Sequence, residues 1–297
     1  MHVDNLRAFV SVYDQGSFSL AAEHLFVTQP AISKRVALLE EQLQTRLFDR
    51  MGRKINPTPT GNALYPRALA ILSEMEDTQR AISNLSGNVS GQLGIATNHH
   101  IGMWRLPELL RDYTRRFPHV SLDLHFMDSA VAYDEILSGD LEVGLITLAP
   151  TPGEQFHSIP LWQDELKFVC AIDHPLAERH EIRLNDLSAY PSILPDLTTF
   201  TGRIVQSLFD SHELNLKVMM STNYLETIKT LISVGLAWSV LPESMIDSTT
   251  CPLRIPKVEI SRTLGIIHLE QRTLSNAAQE FVNLLCTNAD QTLRQIR

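Results

Sequence analysis

Two short helical patterns lie three residues apart between Ser17 and Leu43, and that spacing forces the chain into a sharp turn. Ser17 is placed to cap a helix beginning near Phe18, whose Leu20, Ala21, Ala22 and Leu25 supply a small apolar side. Phe26, Val27 and Thr28 form the turn. Thr28 is placed to cap the next helix, and Pro30 suits its first turn because no backbone donor is needed there. Ile32, Val36, Leu39 and Leu43 then recur at steps of four, three and four, so one face is buried. Arg46, Arg50, Arg53 and Lys54 follow around Met51-Gly52, which reads as the tip of a small hairpin. Helix, turn, helix and basic hairpin make a winged helix-turn-helix over residues 1–59.

The outer face of the second helix carries Gln29, Ser33 and Lys34, with Arg35 on its flank. In this geometry the N-terminal part of that helix enters the major groove of double-stranded DNA. Gln can pair with adenine through two bonds, Lys can reach guanine acceptors, and Ser is less selective. Arg35, Arg50, Arg53 and Lys54 would meet phosphates, adding affinity with little sequence information. Ser17, Thr28 and Pro30, at the helix starts, complete the candidate DNA-binding set. Spacing alone leaves another reading open, since Lys and Arg on the wet face of an amphipathic helix are commonly no more than solvated.

The net charge of −9 looks wrong for a DNA-binding chain, but its distribution helps. The first 60 residues hold seven Lys and Arg against six Asp and Glu, so the acidic excess lies beyond them.

A resemblance narrows the choice. Residues 1–66 resemble the N-terminal domain of the LysR-type transcriptional regulators through NLRAFVSVYDQGSFSLAAEHLFVTQPAISKRVALLEEQL, then LFDR, then TPTG. The likeness extends more loosely along the whole chain.

After Pro57 and Pro59, Thr60 is placed to cap a long helix running to about residue 86. Leu64, Ala68, Ile71, Met75, Thr78, Ile82 and Leu85 step alternately by four and three, a heptad seam. Residues 87–91 then read as a flexible hinge. Such a seam can pack on its own domain, but here it lies between two globular regions, which favours a partner helix. It resembles the linker helix through which the family dimerises, so residues 60–90 are expected to pair two copies, with a tetramer built from two dimers. A dimer would present two recognition helices to a two-fold site.

From residue 91 strand and helix patterns alternate. Leu93–Ala96, Val120–Met127 and Leu141–Thr147 read as strands, with helices at Pro107–Phe117 and Val131–Ser138 between them. This series argues for a parallel sheet covered by helices, an α/β architecture. A second series follows, with strands at Leu166–Ile172, Leu216–Met220 and Leu236–Val240 and helices at Gly202–Ser211 and Asn223–Val234. Leu264–His268 reads as a strand returning to the first lobe and Asn276–Cys286 as a closing helix. LSGDLEVGLI, DHPLA and GLAWSVLP resemble landmarks of the two-lobed, periplasmic-binding-protein-like effector domain of the same family. The expected effector domain is 91–297, with lobe I at 91–162 and 266–297 and lobe II at 163–265.

Ligands of open parallel sheets bind beyond the carboxyl ends of the strands. Thr97, Asn98, His99, His100, Ser129 and Thr147 fall there in the first lobe, and Thr199, Phe200, Thr201 and Thr222 in the second. Hydroxyls, amides and helix N-termini suit a small anion. The resemblance places these segments around the effector cleft, although any one Ser or Thr is as well explained as a helix cap. A small carboxylate is expected, with an amino acid or an inorganic oxyanion as rivals. Arg105 and Arg203 are near enough in sequence to turn in. Trp238, between Leu236 and Val240, is expected to fill core.

His99-His100 lacks the spacing of a metal pair, and no metal or other cofactor is expected. Cys170, Cys251 and Cys286 are widely spaced and read as reduced thiols packed as small hydrophobes. The chain opens directly on an amphipathic helix and has no run of 18 apolar residues, so neither a secretory signal nor a membrane span is expected and the cytoplasm is its expected place. An enzyme would need a nucleophile pair, a phosphate loop or a metal set, and GxSxG, GxxxxGK[ST] and GxGxxG are all absent. A solute-binding transport component would fit the lobes but not the N-terminal domain. The expectation is a regulator that binds promoter DNA under the control of a small effector, with RNA polymerase as a possible further partner.

Overall fold

The computed structural model describes residues 1–51, 54–85 and 87–289. The chain forms two compact units, Met1–Ser86 and Gly87–Arg297.

The first unit contains α1 (Val3–Gln15), α2 (Phe18–His24), α3 (Gln29–Leu43), the hairpin β1 (Phe48–Met51) and β2 (Lys54–Pro57), and α4 (Pro59–Asn84). Gly16 ends α1 at φ 58°, a left-handed conformation in which a Cβ is strained. Ser17 Oγ then accepts from the Leu20 N–H at 3.4 Å and caps α2. Thr28 makes no such bond. The reason is arithmetic: Pro30 has no N–H to offer, and the Ala31 N–H is already taken by the Thr28 carbonyl at 2.9 Å. The cap of α4 is Thr58 rather than Thr60. Its Oγ1 accepts from the Gly61 N–H at 3.0 Å and donates to the Arg46 carbonyl at 2.7 Å, while Pro59 occupies the first turn.

Leu6, Phe9, Val12, Ile32, Val36, Leu39, Leu47 and Phe48 form the core of this unit, and Ala68 of α4 lies in it. Leu64, Tyr65 and Leu72 pack against its edge. The long helix is thus anchored by its first half, with Tyr65 stacked on Tyr13 at 3.9 Å. The remaining apolar seam residues Ile71, Met75, Ile82 and Leu85 are exposed, Leu85 to 86%.

The second unit begins with β3 (Gly91–Thr97), α5 (His99–Trp104), α6 (Leu106–Arg116), β4 (Val120–Phe126), α7 (Ser129–Ser138) and β5 (Val143–Thr147). As alternation predicts, β3 pairs in parallel with both β4 and β5. The next strand, β6 (Phe156–Ala171), is far longer than the expected Leu166–Ile172. It is followed by α8 (Leu184–Leu187), β7 (Ser192–Leu194), α9 (Phe200–Ser211), β8 (Val218–Ser221), α10 (Leu225–Ser233), β9 (Ser239–Pro242), β10 (Thr250–Leu253), β11 (Ile260–Leu269) and α11 (Asn276–Thr287).

The antiparallel pair β6–β11 is the spine of this unit. Its pairing runs from Ile260–Leu166 to Leu269–Phe156, so both strands pass through both lobes. The sheet is therefore mixed, not purely parallel: β5 joins β11 antiparallel, and β9 and β10 join β6 antiparallel in lobe II. Lobe II's own parallel pairing is short: β7 with β8, and a single parallel bridge from Ser192 to Trp238. Each lobe has its core. In lobe I Tyr113 and Phe281 pack under the sheet, with the Tyr113 hydroxyl donating to the Ala277 carbonyl at 2.7 Å. In lobe II Trp238 is fully buried, stacked on Phe209, its indole N–H donating to the Leu187 carbonyl at 3.0 Å. That bond satisfies the one polar atom a buried indole brings.

Candidate functional site

The N-terminal turn of α3 is held out from the first unit by Ile32, Val36 and Leu39 on its inner face. Thr28, Gln29, Pro30 and Lys34 are exposed, and Ser33 is half-buried. Gln29 Nε2 donates to Ser33 Oγ at 2.9 Å, one turn along the helix, so the two form a single polar ridge. Lys34 projects beside it. Arg35 is engaged elsewhere, in an ion pair with Asp4 of α1 at 3.7 Å. Ser17 is committed to its cap. Of the hairpin cations, Arg53 lies outside the described residues, and Arg50 and Lys54 are described by their backbone alone.

In the second unit a cleft of about 610 Å³ opens between the lobes. Asn98, His99, His100, Ser129 and Thr147 line it from lobe I, and Thr199, Phe200 and Thr201 from lobe II. Thr97 and Thr222 are not among its lining residues. Thr97 is fully buried and its hydroxyl donates to the Leu145 carbonyl at 3.0 Å, because side chains alternate along β3 and this one faces inward. Thr222 Oγ1 accepts from the Tyr224 N–H at 3.4 Å. Arg105 and Arg203 do not turn in either. Their guanidinium groups lie over the rings of Trp162 and Phe200, at 5.3 and 4.7 Å.

The cleft's buried cation is Arg262 of β11, which no local pattern marks. Its Nε donates to Asp164 Oδ2 of β6 at 2.8 Å and its Nη1 to Thr201 Oγ1 at 2.9 Å. Arg262 and Asp164 are cross-strand partners in the spine, so only its register brings them together. Asn98 organises the lobe I wall. Its Oδ1 accepts from Ser129 Oγ at 3.0 Å and the Thr147 N–H at 2.9 Å, and its Nδ2 donates to the Met127 carbonyl at 2.9 Å.

His100 is 5% exposed, and its Nδ1 has no hydrogen-bond partner. Burial, aided by the nearby Arg262 charge, pushes its pKa down to about 4, so the ring is neutral at physiological pH. The first turns of α7 and α9 end at the cleft, and helix N-termini favour negative charge. Across the rim the lobes touch directly: Asn223 Nδ2 donates to Asp128 Oδ2 at 2.7 Å, and Trp104 Nε1 to Glu226 Oε1 at 3.1 Å. His99 meets Tyr224 edge to face at 5.3 Å. Asn223, Tyr224 and Phe126 line the cleft without having been expected there as ligand contacts, and Asp128, at the strand end beside Ser129, lines it too. A polar residue just before a helix on the second lobe was the available signal for Asn223.

Among the described residues, no group of three or more His, Cys, Asp or Glu side chains is placed to hold a metal ion, and no helix is long and apolar enough to cross a membrane.

Known proteins align with both units. Residues 3–62 match the family described as bacterial regulatory helix-turn-helix protein, lysR family, and residues 86–289 match the LysR substrate binding domain. The chain is 31% identical to YeiE of Escherichia coli (strain K12), an HTH-type transcriptional regulator, over 95% of this chain and 97% of that one. Its fold resembles full-length CbnR in complex with its target DNA, with a TM-score of 0.61 at 21% identity over 97% of this chain and all of that one. It also resembles the effector binding domain of QuiR in complex with shikimate, with a TM-score of 0.61 at 20% identity over 67% of this chain and 97% of that one.

Proposed function

Because this chain belongs to the LysR family of DNA-binding transcriptional regulators, we propose that its first unit reads a promoter while a small carboxylate, bound between the lobes of its second, sets the strength of that binding. The carrying observation is the cleft. A buried guanidinium, the N-terminal turns of α7 and α9, and the hydroxyls of Ser129 and Thr201 line one space between two lobes. Helix N-termini and an Arg fork are the elements that recognise a carboxylate without a metal. The shikimate carried by the QuiR domain, itself a carboxylate, supports that choice of ligand class.

On the DNA side, Gln29, Ser33 and Lys34 read base edges, and Arg50, Arg53 and Lys54 hold the backbone. The DNA-bound relative supports this use of the first unit. Arg35 serves mainly to brace α3 on α1 through Asp4. The uncovered seam of Ile71, Met75, Ile82 and Leu85 suits a second copy of α4, giving a dimer with two readers and, by pairing of dimers, a tetramer. Promoter DNA places such a protein in the cytoplasm, where a change in DNA bending alters access for RNA polymerase.

The mechanism is a population shift. The rim bonds Asp128–Asn223 and Trp104–Glu226 fix one arrangement of the lobes. A ligand that prefers another spacing shifts the equilibrium by its difference in affinity and by no more. The test is retardation of a fragment carrying the promoter next to the protein's own gene, with and without small carboxylates. Absence of salt-sensitive, sequence-selective binding would overturn the reading.

A further inference from the structure

Cys170 and Cys251 are far apart in sequence, yet the antiparallel register of β6 and β10 sets them directly opposite each other. Residues paired in this way project to the same face of a sheet, with Cα atoms about 4.5–5.5 Å apart. Here that face is the lobe II core: Cys170 is fully buried in the cluster with Phe168 and Trp238, and Cys251 packs at its margin, partly exposed. Both are free thiols.

We propose that Cys170 and Cys251 form a reversible intramolecular disulfide when the protein meets a hydroperoxide. The spacing fits, because disulfides join Cα atoms about 4.4–6.8 Å apart. Cβ atoms of a directly opposed pair lie about 4.5–5.5 Å apart, and a disulfide draws them to about 3.5–4.5 Å. The strands must therefore close slightly. β10 can yield, since it stands at the end of the sheet order and no described strand pairs with its other edge. The strain left in such a bond makes it easy to reduce, which gives reversibility.

The two thiols have unequal roles. Burial pushes the Cys170 thiol up to about 12, with Cys251 adding to the rise, so Cys170 stays protonated and out of reach. Cys251 meets the oxidant first. The Cys251 thiol releases its proton to solvent, the thiolate attacks one peroxide oxygen, the O–O bond breaks, and the departing hydroxide takes up a proton from solvent as water, leaving a sulfenic acid. The Cys170 sulfur then attacks the Cys251 sulfur. The S–O bond breaks and the hydroxyl leaves with the Cys170 proton as a second water. Two thiols lose two electrons and two protons, and one hydrogen peroxide becomes two waters. The bond ties β10 to β6, the strand shared by both lobes.

The test treats the full-length reduced protein with hydrogen peroxide, blocks remaining thiols after unfolding, and maps the peptides without reduction. The expected result is a peptide joining Cys170 to Cys251 in most chains, near background before treatment and lost again on adding dithiothreitol. It should vanish in Cys251→Ser, whose side chain sits at the core margin, and persist in Cys286→Ser. The proposal is overturned if Cys170 is recovered fully blocked while Cys251 is a thiol or sulfinic acid. It is equally overturned if the linked peptides join Cys251 of two chains.

Discussion

Arg262 and Asp164 face each other across β11 and β6, joined by a hydrogen bond of 2.8 Å, with both side chains more than nine-tenths buried. Each charge is tolerable there only because of the other. Asp164→Ala should therefore cost about 3–5 kcal/mol, because it leaves an uncompensated guanidinium in the interior. The double variant Asp164→Leu/Arg262→Met should recover most of that loss. Urea unfolding midpoints check this, and a single variant milder than the double one would refute it.

This pair also shows where sequence reading stops. The helix-turn-helix was legible because caps, Pro30 and the apolar steps of Ile32, Val36 and Leu39 are local signals. Even there Thr60 misled, since Pro59 let α4 begin early, and Thr28 stands at the N-cap position of α3 without a side-chain bond because the N–H groups it could meet are absent or already occupied. The alternating pattern located most strands and helices of the second unit. It could not reveal that β6 runs through both lobes, because a long mixed-burial strand reads as a loop followed by a short strand. Arg262 was missed and Thr97 misplaced for the same reason: register and facing belong to strand pairing, not to neighbours in sequence.

His100 supplies a pH signature. Its pKa is about 4 in the folded protein, against an ordinary value of about 6.5 in the unfolded chain. Between those values the unfolded state binds more protons, so stability is complete above about pH 6.5 and falls as pH drops toward 4. The loss attributable to this residue is at most about 3 kcal/mol. Unfolding free energies at pH 7 and pH 5 should differ less in His100→Asn than in the wild type. An identical difference in both would show that His100 is not the group responsible.

Gly202 sits in the first turn of α9, where an added Cβ would lie 2.2 Å from the Asp196 carbonyl oxygen and 2.7 Å from Leu197 Cα. Backbone cannot yield as a side chain can. Gly202→Ala should destabilise the protein by about 1–3 kcal/mol and displace Thr199–Thr201 from the cleft. Thermal unfolding measures the first effect, and loss of ligand-induced stabilisation the second. A variant as stable and as responsive as wild type would contradict the packing described here.

The two neighbouring cations of α3 should behave differently. Lys34→Ala removes a projecting cation and should weaken DNA binding by about 1–3 kcal/mol if it pairs with a guanine. Arg35→Ala breaks a half-exposed ion pair with Asp4, worth about 0–1 kcal/mol of stability, and should affect DNA affinity less. Fluorescence anisotropy with the promoter fragment at two salt concentrations separates these effects. The reverse ranking would reassign the base-reading face.

The central claim is that a ligand in the cleft controls a reader that is built separately from it. The most direct measurement is the affinity of the full-length protein for its promoter fragment with and without a small carboxylate that raises its melting temperature, in wild type and in the double variant Asp164→Asn/Arg262→Gln, which removes the guanidinium without leaving an unpaired buried carboxylate. Wild-type affinity should change within the range of about 5- to 150-fold typical of coupled sites. The double variant should bind DNA as the unliganded wild type does and ignore the ligand. An unchanged wild-type affinity, or loss of DNA binding together with ligand response in the double variant, would contradict this coupling.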